Sequence, residues 1–97
     1  MATYIVLGNF TEQGIRSVKD TTKRAEALRG LGKKVGVTVK EVYWLLGPFD
    51  VATIVEAPDE TAITAFGLSA GALGNVRTQT LRAFSADEMG KIIGKMA

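Results

Sequence analysis

The chain has no cysteine and no histidine among its 97 residues. Without cysteine there is no disulfide framework, no zinc site built on thiolates and no thiol nucleophile. Without histidine the chain lacks the usual general base near neutral pH, the commonest metal ligand and any serine-histidine triad. A haem held by a proximal histidine is excluded as well. The protein metal ligands that remain are carboxylates, which suit hard cations. The ten acidic residues are scattered, and the adjacent pairs Asp59-Glu60 and Asp87-Glu88 both read as helix starts. Neither a metal nor a cofactor is expected.

Long apolar runs are also missing. The N-terminus reads Met-Ala-Thr-Tyr-Ile-Val-Leu-Gly, with no basic region before a short apolar run. That pattern predicts no signal peptide, and no segment approaches the length of a membrane span. A cytoplasmic location is the expectation by default. The formal net charge is only +2, too small to argue for a polyanion partner. Its distribution is uneven, because Arg16, Lys19, Lys23, Arg24, Arg29, Lys33 and Lys34 face only Asp20 and Glu26 over residues 16–34, a local net of +5. A solvated helix face explains such a run; an anionic or nucleic-acid footprint is the alternative.

What is present is an ordinary globular balance, 46% apolar and 23% charged, in a length that fits one domain over residues 1–97. A chain this short buries only about two-thirds of its unfolded surface, so self-association is a natural way to bury more. Residues 3–9 (TYIVLGN) form a β-branched apolar run and read as a strand buried on both faces. Thr11 sits at a helix N-cap position. A stripe of Ile15, Val18, Thr22, Ala25, Leu28, Leu31 and Val35 predicts helix over 12–35, with Asp20 able to break it and cap a second segment from Thr21. Gly32 and Gly36 bracket its end.

Residues 37–46 (VTVKEVYWLL) read as a strand, with Val39, Glu41, Tyr43 and Leu45 on one face and Val42, Trp44 and Leu46 on the other. Gly47-Pro48-Phe49-Asp50 is a tight turn into a strand over 51–57. So short a connection makes an antiparallel hairpin. Asp59 caps a helix carrying Ala62, Ile63, Phe66, Ala70 and Leu73, in which Gly67 and Gly71 predict close packing of another backbone. Residues 76–84 (VRTQTLRAF) form the most polar strand and read as an exposed edge. Ser85 and Glu88 spell a capping box for a last helix with Ala86, Met89, Ile93 and Met96 on its apolar side.

The order strand, helix, strand, strand, helix, strand, helix is the α+β, ferredoxin-like β-α-β-β-α-β plan: an antiparallel sheet with helices on one face, plus a C-terminal helix. The other sheet face is left open and carries large apolar residues, a liability in a monomer. A homodimer packed sheet to sheet, or a higher assembly, is expected.

The stretches TYIVLGNFTEQGIRSVKDT at 3–21, VYWLLGPFD at 42–50 and NVRTQTLRAFS at 75–85 resemble the GYD-domain family. Gly47 and Asp50 match the ends of the family's turn, and Phe49 stands where tyrosine is typical, keeping the ring and losing the hydroxyl. The resemblance implies a subunit similar to those of dimeric α/β-barrel proteins, whose members include cofactor-independent oxygenases and regulator domains. It implies no particular activity.

Candidate ligand-binding residues are Asn9, Tyr43, Trp44, Asp50, Arg77, Thr78 and Arg82. Asp50 reads first as a turn residue bonding local amides, and second as a carboxylate at a cavity rim. Tyr43 and Trp44 point to opposite faces, so one lies under the helices and the other in an interface or cavity. Arg77 points opposite Thr78, Thr80 and Arg82, a strand whose inward side presents arginine and hydroxyls to a carboxylate or enolate. The first functional expectation is a homo-oligomer that binds a small molecule or serves in assembly. An oxygenase or isomerase using Trp44, Asn9 and Arg82 is the second, implied by the resemblance; nucleic-acid association through the basic helix is the third and least favoured.

Overall fold

The computed structural model describes all residues 1–97. Strand β1 (Ala2–Phe10) leads through helix α1 (Glu12–Arg16) and a single 3-10 turn (Val18–Asp20) into helix α2 (Thr21–Val35). The hairpin β2 (Thr38–Trp44) and β3 (Val51–Ala57) follows, then helix α3 (Glu60–Ala72), β4 (Val76–Ala83) and helix α4 (Ala86–Ile93). The four strands form one antiparallel sheet in the order β2-β3-β1-β4. This is the ferredoxin-like arrangement, and it puts the polar β4 at an edge as its composition predicts.

The caps explain most boundaries. Thr11 accepts a hydrogen bond from the Gly14 amide at 3.0 Å, and Asp59 accepts one from Ala62 at 2.8 Å. Ser85 and Glu88 make the reciprocal capping box of α4. At Asp20 the structure corrects the mechanism: α2 does start at Thr21, but the Asp20 side chain makes no capping bond. The break comes instead from the 3-10 turn, and it leaves Ile15 exposed rather than on the buried stripe. Gly36 ends α2 with φ +83°, the left-handed geometry that favours glycine.

The core lies between the sheet and helices α2 and α3. Tyr4, Val6, Val37, Val39, Val55, Ala57, Ala62, Ile63 and Phe66 are buried together. Strand β1 alternates: Tyr4, Val6 and Gly8 are buried, while Ile5 and Leu7 on the other face are half-buried. The expectation of burial on both faces is therefore corrected for the single chain, because no helix covers the second face.

A register shift between Val39 and Glu41 overturns the expected alternation of β2. The irregularity puts Val39 on the same face as Val42 and Trp44, against the helices, and sends Glu41 and Tyr43 to the open side. Leu45 and Leu46 fall outside the strand, and Leu46 is fully exposed.

The close backbone approach expected at Gly67 and Gly71 is elsewhere. A side chain at Gly71 would meet nothing within 4 Å, and one at Gly67 only the Thr80 hydroxyl at 3.9 Å. The tight contacts are at Gly14, where a Cβ would drive into the Asn75 carbonyl, and at Gly32, where it would lie 2.7 Å from the Val37 carbonyl. Helix α4 stands off the rest of the chain with no buried residue. The molecule is correspondingly long, 50 × 31 × 17 Å, with a radius of gyration of 14.5 Å against about 12.5 Å for a compact chain of this length.

Candidate functional site

Pairing across the sheet sorts the strand side chains into two sets. Toward the helices lie the rows Val39-Val55-Tyr4-Arg82, Val42-Thr53-Val6-Thr80 and Trp44-Val51-Gly8-Thr78. Toward solvent lie Glu41-Ile54-Ile5-Leu81 and Tyr43-Ala52-Leu7-Gln79, with Asn9 and Arg77 beyond them. Tyr43 is 51% and Leu81 46% exposed. The open face thus has an apolar centre, Ile5, Leu7 and Ile54, with Glu41 on one edge strand and Arg77 on the other.

The helix side is packed at one end and open at the other. Around Val55 the side chains of Tyr4, Val39 and Phe66 are all buried. Around Gly8 the helices and sheet part to leave a cavity of about 130 Å³. Its floor is Val6, Gly8 and Val51, its walls include Trp44 and Phe66, and Thr53 and Thr78 add hydroxyls. The Trp44 indole Nε1 donates to the Thr21 hydroxyl at 3.0 Å, which ties the end of β2 to the start of α2 beside the cavity. Arg24 of α2 also lines it. Its guanidinium donates to the Ser17 carbonyl at 2.9 Å, the Ser17 hydroxyl at 3.1 Å and the Gly14 carbonyl at 3.2 Å, and lies 6.0 Å from the centre of the Phe10 ring.

Of the residues singled out from sequence, the fold brings only Trp44 and Thr78 to the cavity. Tyr43 and Arg77 lie on the open face, as does Asn9, whose amide donates to the Pro48 carbonyl at 2.8 Å. Arg82 projects to the helix side at the opposite sheet edge from Trp44. It pairs with Glu88 at 3.0 Å and lies over the Phe84 ring at 4.4 Å, so it links β4 to α4. Asn9, Trp44 and Arg82 do not converge.

Asp50 bonds an amide, but not a local one. Its carboxylate accepts from the Phe10 amide at 2.9 Å, its own amide donates to the Gly8 carbonyl at 2.9 Å, and its carbonyl accepts from Leu45 at 2.8 Å. The turn is closed by its own Leu45–Asp50 bond and sewn by Asp50 to the end of β1. Gly47, at φ +130°, allows the chain to enter it.

Sequence reasoning missed Arg24, Gly8 and Gly67 as cavity residues. Arg24 was hidden in the basic run of α2, of which Arg29 is also taken up internally, donating to the Val39 carbonyl at 2.8 Å, while Arg16 pairs with Glu12. Glu88 has the one carboxyl clearly displaced from its ordinary range. The Ser85 backbone amide, first, and the Arg82 guanidinium hold it low.

The GYD-domain family model matches residues 4–93. A Thermus thermophilus protein named "Glutamine synthetase and cystathionine beta-lyase binding protein" is 33% identical over 90 residues, covering 92% of this chain and 95% of the relative. The crystal structure of TTHA0845, also from Thermus thermophilus, superimposes with a TM-score of 0.58 at 28% identity, covering 89% of this chain and 96% of that one. No helix is long and apolar enough to cross a membrane.

Proposed function

Because the chain belongs to the GYD-domain family, and its named relative is a binding protein, we propose that it is a self-associating, non-catalytic binding protein that docks on a metabolic enzyme. The observation that carries this reading is the uncovered apolar sheet face, together with a terminal amphipathic helix that no other element covers. Ile5, Leu7, Ile54, Tyr43 and Leu81 form the first; Met89, Ile92 and Ile93 of α4 expose the second. A patch of this kind marks an interaction surface.

Magnitudes favour use of both. Four strands about 4.8 Å apart and about seven residues long offer a plane of roughly 450 Å². A stable interface removes about 800 Å² of accessible surface from each partner. The sheet face alone falls short of that area, and the exposed apolar side of α4 offers a second apolar surface. Glu41 and Arg77, on opposite edge strands, give a two-fold pairing of sheets opposite charges to align. The absence of histidine and cysteine leaves no imidazole base and no thiol nucleophile for catalysis, in keeping with a binding role.

The relative's name makes glutamine synthetase the enzyme to test first. Light scattering on eluting protein should give a dimer or larger for the native chain at micromolar concentration, and a smaller species for Leu81→Glu. A native chain that elutes as a monomer overturns self-association. Purified glutamine synthetase immobilised on a sensor should retain the native protein saturably; no retention at micromolar concentration removes that enzyme as the partner.

A further inference from the structure

The cavity lies on the opposite side of the sheet from the proposed interface, and it has features that packing alone does not require. The first is its glycines. Gly8 sits inside β1 and Gly67 inside α3, and neither has a positive φ. A Cβ at Gly8 would meet its nearest neighbour at 3.8 Å, and one at Gly67 at 3.9 Å, which is ordinary contact. A side chain would fit at either position and would remove the entropic cost of glycine within a strand or helix. Both glycines line the cavity, and a Cβ at Gly8 would face Val76 and Thr78 of its lining, so what Gly8 leaves in the structure is space.

The second feature is an uncompensated cation. Arg24 is half-buried, bonds only neutral oxygens, and belongs to none of the ion pairs Arg16–Glu12, Lys40–Glu56 and Arg82–Glu88. A guanidinium has five N–H donors, and three hydrogen bonds leave some of them free. A planar fork with free donors beside an apolar cavity fits a carboxylate. The third feature is size. A cavity near 150 Å³ accommodates benzene, and this one, at about 130 Å³, is of that order. Phe66, Trp44 and Leu28 make its walls apolar and in part aromatic.

We propose that this cavity binds a small monocarboxylate whose apolar body is about the size of one six-membered ring. The ring lies over Gly8 among Trp44, Phe66 and Leu28, and the carboxylate reaches the free donors of Arg24. The Trp44–Thr21 hydrogen bond holds the aromatic wall in place for it. This site is independent of the enzyme-docking surface, since it occupies the other side of the sheet.

Benzoate is the probe, with benzyl alcohol as its neutral counterpart, and the readouts are Trp44 fluorescence and amide and indole NMR shifts. Trp44 is the only tryptophan, so the fluorescence reports this site. Benzoate should shift the resonances of Gly8, Thr78 and the Trp44 indole saturably at millimolar concentration or below. Benzyl alcohol should bind about tenfold more weakly, the usual increment for a charge-assisted hydrogen bond. Gly8→Val, which fills the space from the cavity floor at a position where its Cβ is tolerated, should abolish binding without loss of the folded state, as judged by its dispersed amide spectrum. Equal affinity for the two probes would overturn the role of Arg24. Undiminished binding to a folded Gly8→Val, or no saturable shift in the native protein with benzoate, phenylacetate or 4-methyl-2-oxopentanoate, would overturn the site.

Discussion

The two faces of the sheet are built from the same four strands, yet they are finished differently. On the helix side, Val55 and Ala57 are wholly buried and Phe66 of α3 is 1% exposed, so water is excluded there. On the other side, Leu81 and Tyr43 are about half exposed although the residues opposite them across the sheet, Ile5 and Ala52, are apolar. A single chain has enough helix to cover one face only. The difference separates what holds the monomer together from what is left for other molecules. Within the helix side there is a second contrast, between the filled end at Val55 and the hollow end at Gly8.

The contrast can be tested by substitution. Phe66→Ala should have the largest effect, about 3–5 kcal/mol lost in denaturant unfolding, whereas Leu81→Ala on the open face should change monomer stability by less than about 0.5 kcal/mol. Equal losses would mean that the open face is already part of a folding core. Asp50→Ala should come next, because it leaves the Phe10 amide without its acceptor; a loss of about 1–3 kcal/mol is expected, with faster amide exchange at Phe10. Gly67→Ala should go the other way and raise stability by up to about 1 kcal/mol, since the new methyl meets only the Thr80 hydroxyl at 3.9 Å. A large loss there would show that the hollow end is tightly packed after all.

The smallest effect concerns α4. The Glu88 carboxyl is held below its ordinary range by the Ser85 amide and by Arg82. A carboxyl with a lowered folded-state pKa stabilises the structure fully above its unfolded-state value, and the stabilisation is lost as pH falls through the lowered one. Acidification should therefore fray α4 first, seen as faster exchange of its amides while those of β1 and β3 stay protected. Fraying of α4 that does not depend on pH, or that Glu88→Gln leaves unchanged, would detach the helix from this capping pair.

Much of the architecture is legible in the residues because it rests on local chemistry. Thr11, Asp59 and the Ser85/Glu88 pair mark helix starts through bonds within three residues, and Gly36 marks a stop through its own φ. The hairpin follows from the short connection between β2 and β3, and the edge position of β4 from its polarity. The candidate site was much less legible. Tyr43 and Arg77 adjoin Trp44 and Thr78 in sequence, and Asn9 adjoins Gly8, but alternation sends all three to the open face. Arg24 gives no signal in a run of basic residues until its neighbours are known. The irregularity between Val39 and Glu41 moved Val39 to the face opposite the one expected, because one extra residue switches the parity of those before it.

Gly47-Pro48-Phe49-Asp50 shows where the division lies. From sequence alone a turn at these residues, the antiparallel hairpin around it and the order of elements are determined, since glycine, proline and chain length act over a few bonds. That Asp50 reaches the Phe10 amide, and that Gly8 and Gly67 enclose space beneath Trp44, was decided only by tertiary structure. Those relations join residues more than twenty positions apart, and no local preference specifies which distant backbone a carboxylate meets or which side chains fail to fill a gap.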